Sequence, residues 1–156
     1  MEQKLLIAFD DSSNAMRAVE FVARSFTPDN KVTLYHVLQD TAALCEMESP
    51  ELTAYFKSQQ SAFCVLEDKK KSLVEEAMER AKERLLEAGF KDENIQLKQT
   101  VKNKGVAMDI VAEAQDGYPI IVLGRRGHSG IREFILGSIS QKVLHAAKES
   151  SVLMVN

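Results

Sequence analysis

The sequence has no tryptophan, only two cysteines in 156 residues, and no surplus of positive charge, with 20 Lys and Arg against 23 Asp and Glu. The formal net charge of −3 excludes a general electrostatic footprint for nucleic acid, and no such partner is expected. No segment approaches the roughly 18 uncharged apolar residues of a membrane span, so no membrane partner is expected either. The opening MEQKLLIAFDDSS lacks the apolar core of a signal peptide, because its run from Leu5 to Phe9 is ended by Asp10. A cytoplasmic location is the expectation. Cys45 and Cys64 show no C-x-x-C or Cys/His ligand spacing and are read as free thiols in a reducing cytosol. A disulfide across the intervening loop is the alternative, but no sequence signal supports it.

What is present is ordinary for one soluble domain, with 45% hydrophobic and 28% charged residues. KLLIAF (4–9) is a continuous apolar run, the mark of a strand covered on both faces. A helix follows, capped by Ser12 or Ser13, with Met16, Val19, Val22 and Phe26 inward. KVTLYHVL (31–38) is a second strand. Residues 39–65 show no period. From about Leu66 a long helix is predicted, with Leu73, Ala77, Ala81, Leu85 and Ala88 on its buried face and Gly89 as its stop. IQLKQTV (95–101) alternates and reads as an edge strand. Ile110, Val111 and Ala114 mark a short helix, and PIIVLG (119–124) a further buried strand. Ile139, Val143, Ala146 and Ala147 mark the last helix, and SVLMV (151–155) the last strand.

Alternating strands and helices predict an α/β domain, Rossmann-like, with a five-stranded parallel sheet of order 3-2-1-4-5 and helices on both faces. The topological switch point then falls between the first and fourth strands, where ligands bind at the carboxyl ends. Asp10 ends the first strand and Gly124 the fourth, so both meet in one crevice.

Gly124, Gly127 and Gly137 are spaced G-x2-G-x9-G, with Ser138 next. No lysine follows the last glycine, so this is not a Walker loop, nor is it G-x-G-x-x-G. Glycines with φ > 0 could form a backbone nest for an anion, and the start of the last helix favours a phosphate. Arg125, Arg126 and His128 could touch phosphates or form a solvated face. His36 and His145 read as structural. Asp10 can accept from a ribose hydroxyl or a base amine. Asp11 favours the first helix electrostatically; a metal role for it is the minority option.

With LLIAFDDSSNAMRAVEFV, VTLYHV and SSVLMVN, this glycine signature resembles the ATP-binding branch of the universal stress proteins over nearly the whole chain, 1–156. Residues 39–65 correspond to a variable insertion. The resemblance implies binding of ATP, AMP or ADP, with Mg2+ or Mn2+ as an accompanying ion, and a homodimer. It places Asp10 at the ribose and adenine, the backbone of Ala8 and Phe9 beside the base, and Val37 on its face. Leu123, Gly124 and Gly127 would line the ribose and α-phosphate, with Arg126 and His128 beside them; Gly137, Ser138 and Ile139 would hold the outer phosphates. Asp11 stands where members often carry Gly, Arg125 where many carry a small residue, and Gly-Tyr-Pro where an aspartate is frequent.

The implied function is nucleotide-dependent regulation in stress adaptation, with an unidentified regulatory protein partner and at most slow ATP hydrolysis, since no water-activating base with an orienting partner is apparent. The alternative is a protein-interaction or chaperone-like module without nucleotide. A flavin electron carrier has little support from the glycine pattern. Val152, Leu153, Met154 and Val155 form an edge without lysine or proline, and are expected at the dimer interface.

Overall fold

The computed structural model describes residues 2–48, 53–125 and 136–156. Within these, β1 (Lys4–Ala8), α1 (Ser13–Ser25), β2 (Lys31–Leu38), α2 (Ala42–Cys45), α3 (Ala54–Glu87), β3 (Ile95–Val101), α4 (Val106–Ala114), β4 (Ile120–Gly124), α5 (Ser138–Ala146) and β5 (Ser151–Val155) follow in order. The strands form one sheet, β3-β2-β1-β4-β5, with every pairing parallel. The expected order therefore stands.

Period-two alternation in the strands divides the core between two faces. Leu5, Ile7, Val32, Leu34 and Val122 pack with α1 and α3 through Val19, Val22, Ala77, Met78 and Leu85. Leu6, Tyr35, Val37, Ile121 and Leu123 pack against α4 and α5 through Ile110, Val111 and Val143. Because β1 lies central and is covered on both sides, Leu5, Leu6 and Ile7 are all fully buried. This is why its sequence is a run rather than an alternation.

The structure corrects three readings. First, α3 begins at Ala54, not near Leu66, and Thr53 caps it by accepting from the Phe56 N–H. Second, its buried residues are Val74, Ala77, Met78, Ala81 and Leu85, while Leu73 and Ala88 are exposed. Leu73 lies one position, about 100°, round the helix from the inward Val74. Third, Cys45 and Cys64 form a disulfide with Cα atoms 5.9 Å apart, where free thiols were expected. The α2–α3 hairpin brings them together, and the thiol argument for a reducing compartment falls with this bond. The Gly-Tyr-Pro segment has a packing role. Gly117 turns the chain at φ +91, and the hydroxyl of buried Tyr118 lies 3.0 Å from Thr33 Oγ1.

Candidate functional site

At the switch point the carboxyl ends of β1 and β4 part and leave a crevice of about 340 Å3. It is lined by Ala8, Phe9 and Asp10 after β1, Val37 on β2, Leu123 and Gly124 on β4, and Gly137, Ser138 and Ile139 at the start of α5. These nine predicted site residues thus lie together. Arg126, Gly127 and His128 lie outside the described residues.

Each wall has a local cause. The Phe9 N–H donates to Tyr35 O (2.8 Å), carrying the ladder one residue past β1. His36 Nδ1 lies 2.8 Å from Phe9 O. A carbonyl oxygen only accepts, so this bond puts the imidazole proton on Nδ1. His36 is therefore structural, as expected, but it also lines the crevice. Asp10 Oδ1 accepts the Ser12 N–H (2.8 Å), and Ser12 Oγ caps α1 by accepting from Ala15 N. The turn fixes the carboxylate at the crevice and leaves it acceptor capacity for a ligand hydroxyl.

Gly124 departs from the reading that its freedom is in φ. Positive φ occurs at Gly89, Gly105 and Gly117 among the described residues, not at Gly124 or Gly137. Gly124 is needed for close approach instead: a Cβ there would stand 2.8 Å from Asn14 O. β4 can thus end directly against the first turn of α1. Its carbonyl accepts from Ser140 Oγ (3.0 Å), which ties the start of α5 to β4.

Gly137 is the N-cap of α5 and makes no side-chain capping bond. The first N–H groups of α5 have no acceptor within the helix, which leaves partial positive charge beside the crevice. Arg125 does not line the crevice; its guanidinium donates to Asn156 Oδ1 (3.0 Å).

Eight lining residues were not among the predicted ligands: Ser12, Ala15, Tyr35, His36, Gln39, Val106, Ile110 and Ser140. Val106 and Ile110 come from α4. The loop before α4 is fixed by Asp109, whose carboxylate accepts the N–H groups of Asn103 (2.8 Å) and Lys104 (2.9 Å). Those two bonds hold Asp109 below its ordinary pKa. Burial pushes the Tyr35 phenol above its ordinary value.

A second chamber, about 860 Å3, adjoins the crevice and shares Asp10, His36, Val37 and Gln39 with it. Asp11 lines the chamber and not the crevice. Among the described residues, no three His, Cys, Asp or Glu side chains are grouped to hold a metal ion. No described helix is long and apolar enough to cross a membrane.

The model of the universal stress protein family matches residues 1–156. Universal stress protein YxiE of Bacillus subtilis strain 168 is 27% identical over 145 residues, 92% of each chain. Among solved structures, hypothetical protein MJ0577 is 26% identical with a TM-score of 0.69, covering 98% of this chain and 94% of its own. A universal stress protein in complex with cAMP is 17% identical with a TM-score of 0.62, covering 99% and 96%. That last likeness is one of fold alone.

Proposed function

The chain belongs to the universal stress protein family, and we propose that it is of the ATP-binding branch, a nucleotide-binding regulator in stress adaptation. The observation that carries this reading is the gradient across the crevice. Val37, Val106 and Ile110 offer apolar surface on the β2 side, suited to a base. Asp10 stands in the middle, suited to ribose hydroxyls. The start of α5, where Gly137 is the N-cap, lies on the β4 side, suited to phosphates. Gly127, Arg126 and His128 belong to the same reading through the glycine signature. A divalent cation such as Mg2+ or Mn2+ would come with the phosphates.

The reading is one of holding nucleotide rather than turning it over. Three titratable side chains line the crevice among the described residues, and each is engaged: Asp10 accepts the Ser12 N–H, His36 bonds the Phe9 carbonyl, and the Tyr35 hydroxyl lies 2.6 Å from Thr100 Oγ1. The reading extends to a cytoplasmic homodimer joined through β5. The alternative, a protein-interaction module without nucleotide, draws on Tyr55, Phe56, Val65 and Leu66, all exposed on the first half of α3.

Mass spectrometry of what the freshly purified protein releases on denaturation separates the two, since the first reading expects an adenine nucleotide. Added ATP at about 100 times its dissociation constant should stabilise the fold by about 2.7 kcal/mol. Asp10→Asn keeps an oxygen for the Ser12 N–H while removing the charge. It should weaken ATP and AMP alike, by about 1.5–3 kcal/mol for a lost charge-assisted hydrogen bond. Gly137→Val, at a backbone φ of −58 that any residue adopts, should abolish the ATP shift while costing the apo protein only about 0.5–2 kcal/mol, since valine is a poorer N-cap than glycine. If both variants still bind ATP as tightly as the wild type, the crevice is not the site.

A further inference from the structure

The chamber beside the crevice has a wall held by a covalent bond. α2 supplies Ala42 and Cys45 to that wall. It is four residues long, buries none of them, and its N-cap Thr41 makes no side-chain capping bond. A helix of that length does not persist by itself. It is held to α3 by the Cys45–Cys64 disulfide and by the Gln60 amide, which donates to the carbonyl oxygens of Leu44 and Met47. Leu44 and Met47 are themselves exposed, so apolar burial adds little. The chamber and the crevice meet at Asp10, His36, Val37 and Gln39, and Gln39 leads directly into the segment that α2 anchors.

We infer that Cys45 and Cys64 form a redox latch on nucleotide exchange. In the oxidised protein the disulfide holds α2 against α3 and keeps the chamber wall beside the ligand. In the reduced protein the segment 39–48 detaches and the nucleotide leaves faster. The inference rests on the nucleotide reading of the crevice. The reductant is a dithiol. Its thiolate attacks one sulfur of the Cys45–Cys64 bond, a mixed disulfide forms, and the departing cysteine takes a proton. The second thiol of the reductant then closes its own disulfide and frees the other cysteine as a thiol. Two electrons and two protons pass from the dithiol to the protein.

The test uses the wild-type protein in both redox states, so it does not depend on a variant folding. Alkylation and intact mass first count the free thiols in each state. Stopped-flow displacement of a fluorescent ATP analogue then gives the dissociation rate, and hydrogen exchange is followed at 39–48. Reduction with dithiothreitol should raise the dissociation rate at least fivefold and lower protection at 39–48. The Cys45→Ser/Cys64→Ser double variant should show the fast rate whether or not dithiothreitol is present. Equal rates in the two states, or two alkylatable thiols in the oxidised preparation, overturn the latch while leaving the nucleotide reading intact. Absence of ATP binding in both states overturns the nucleotide reading, and the latch with it.

Discussion

Gly124 serves two neighbours at once, and the two roles can be separated. It lines the crevice, and it lets β4 end against the backbone of Asn14, where a Cβ would stand 2.8 Å from the carbonyl oxygen. That contact is with backbone in the first turn of a packed helix, which cannot swing aside as a long side chain can. Gly124→Ala should therefore destabilise the apo protein by about 1–3 kcal/mol, the usual range for overpacking. At this chain length that lowers the melting temperature by about 2–4 °C per kcal/mol. Thermal denaturation without nucleotide checks it, and an unchanged midpoint would show that α1 shifts freely. Asp10, Gly124 and Ser138 were legible in the sequence because each stands at the end of a strand or the start of a helix. Parallel α/β topology gathers such ends at one place. Val106 and Ile110 were not legible. They are core-type residues, and only the placement of α4 over β2 turns them towards the crevice.

The same contrast appears in α3, whose two halves obey different constraints. The helix is about 50 Å long. Its buried residues all lie between Val74 and Leu85, while Tyr55, Phe56, Phe63, Val65 and Leu66 are exposed. Burial on one face is what imposes a period of 3.6 on a sequence. None of residues 54–73 is buried, so the first half shows no such period, which is why its helix could not be read there. The Cys45–Cys64 bond was hidden for a related reason, since it depends on how two helices meet rather than on spacing. The placement of Leu73 and Val74 is open to direct test. Val74 is 5% exposed and Leu73 is 42% exposed. Val74→Ala should cost about 1–2.5 kcal/mol, from lost burial plus a residual cavity. Leu73→Ala should stay within about 0.5 kcal/mol, as surface substitutions do. Urea denaturation of the two variants measures both, and the reverse ranking would mean that α3 is rotated from the position described.

At the scale of the whole molecule, the sheet ends among the described residues in two edge strands of different character, β3 and β5. β3 carries Gln96, Lys98 and Gln99, and Lys98 pairs with Glu113 at 2.6 Å. A strand of this composition discourages further pairing. β5 is apolar from Val152 to Val155, and Val152, Leu153 and Met154 are each only half-buried. The ladder on its inner side identifies which groups are free to pair outward. Ser151 N donates to Pro119 O, and Val155 O accepts from Arg125 N. In a parallel ladder alternate residues bond to the same neighbour, so Ser151, Leu153 and Val155 face β4. The N–H groups of Val152 and Met154 then point to the open edge. A two-fold axis beside β5 would pair these groups with those of a second copy and extend the sheet. Met154→Pro removes an outward donor and spares the inner ladder, so it should yield a folded monomer that still binds ATP, because the described crevice is built from one chain. Leu153→Pro removes a donor to β4 and should instead lower stability by about 3 kcal/mol or more if the cost matches that of proline within a helix. Light scattering with thermal denaturation distinguishes the two outcomes. A wild-type protein that stays monomeric at high micromolar concentration would refute pairing through β5 altogether.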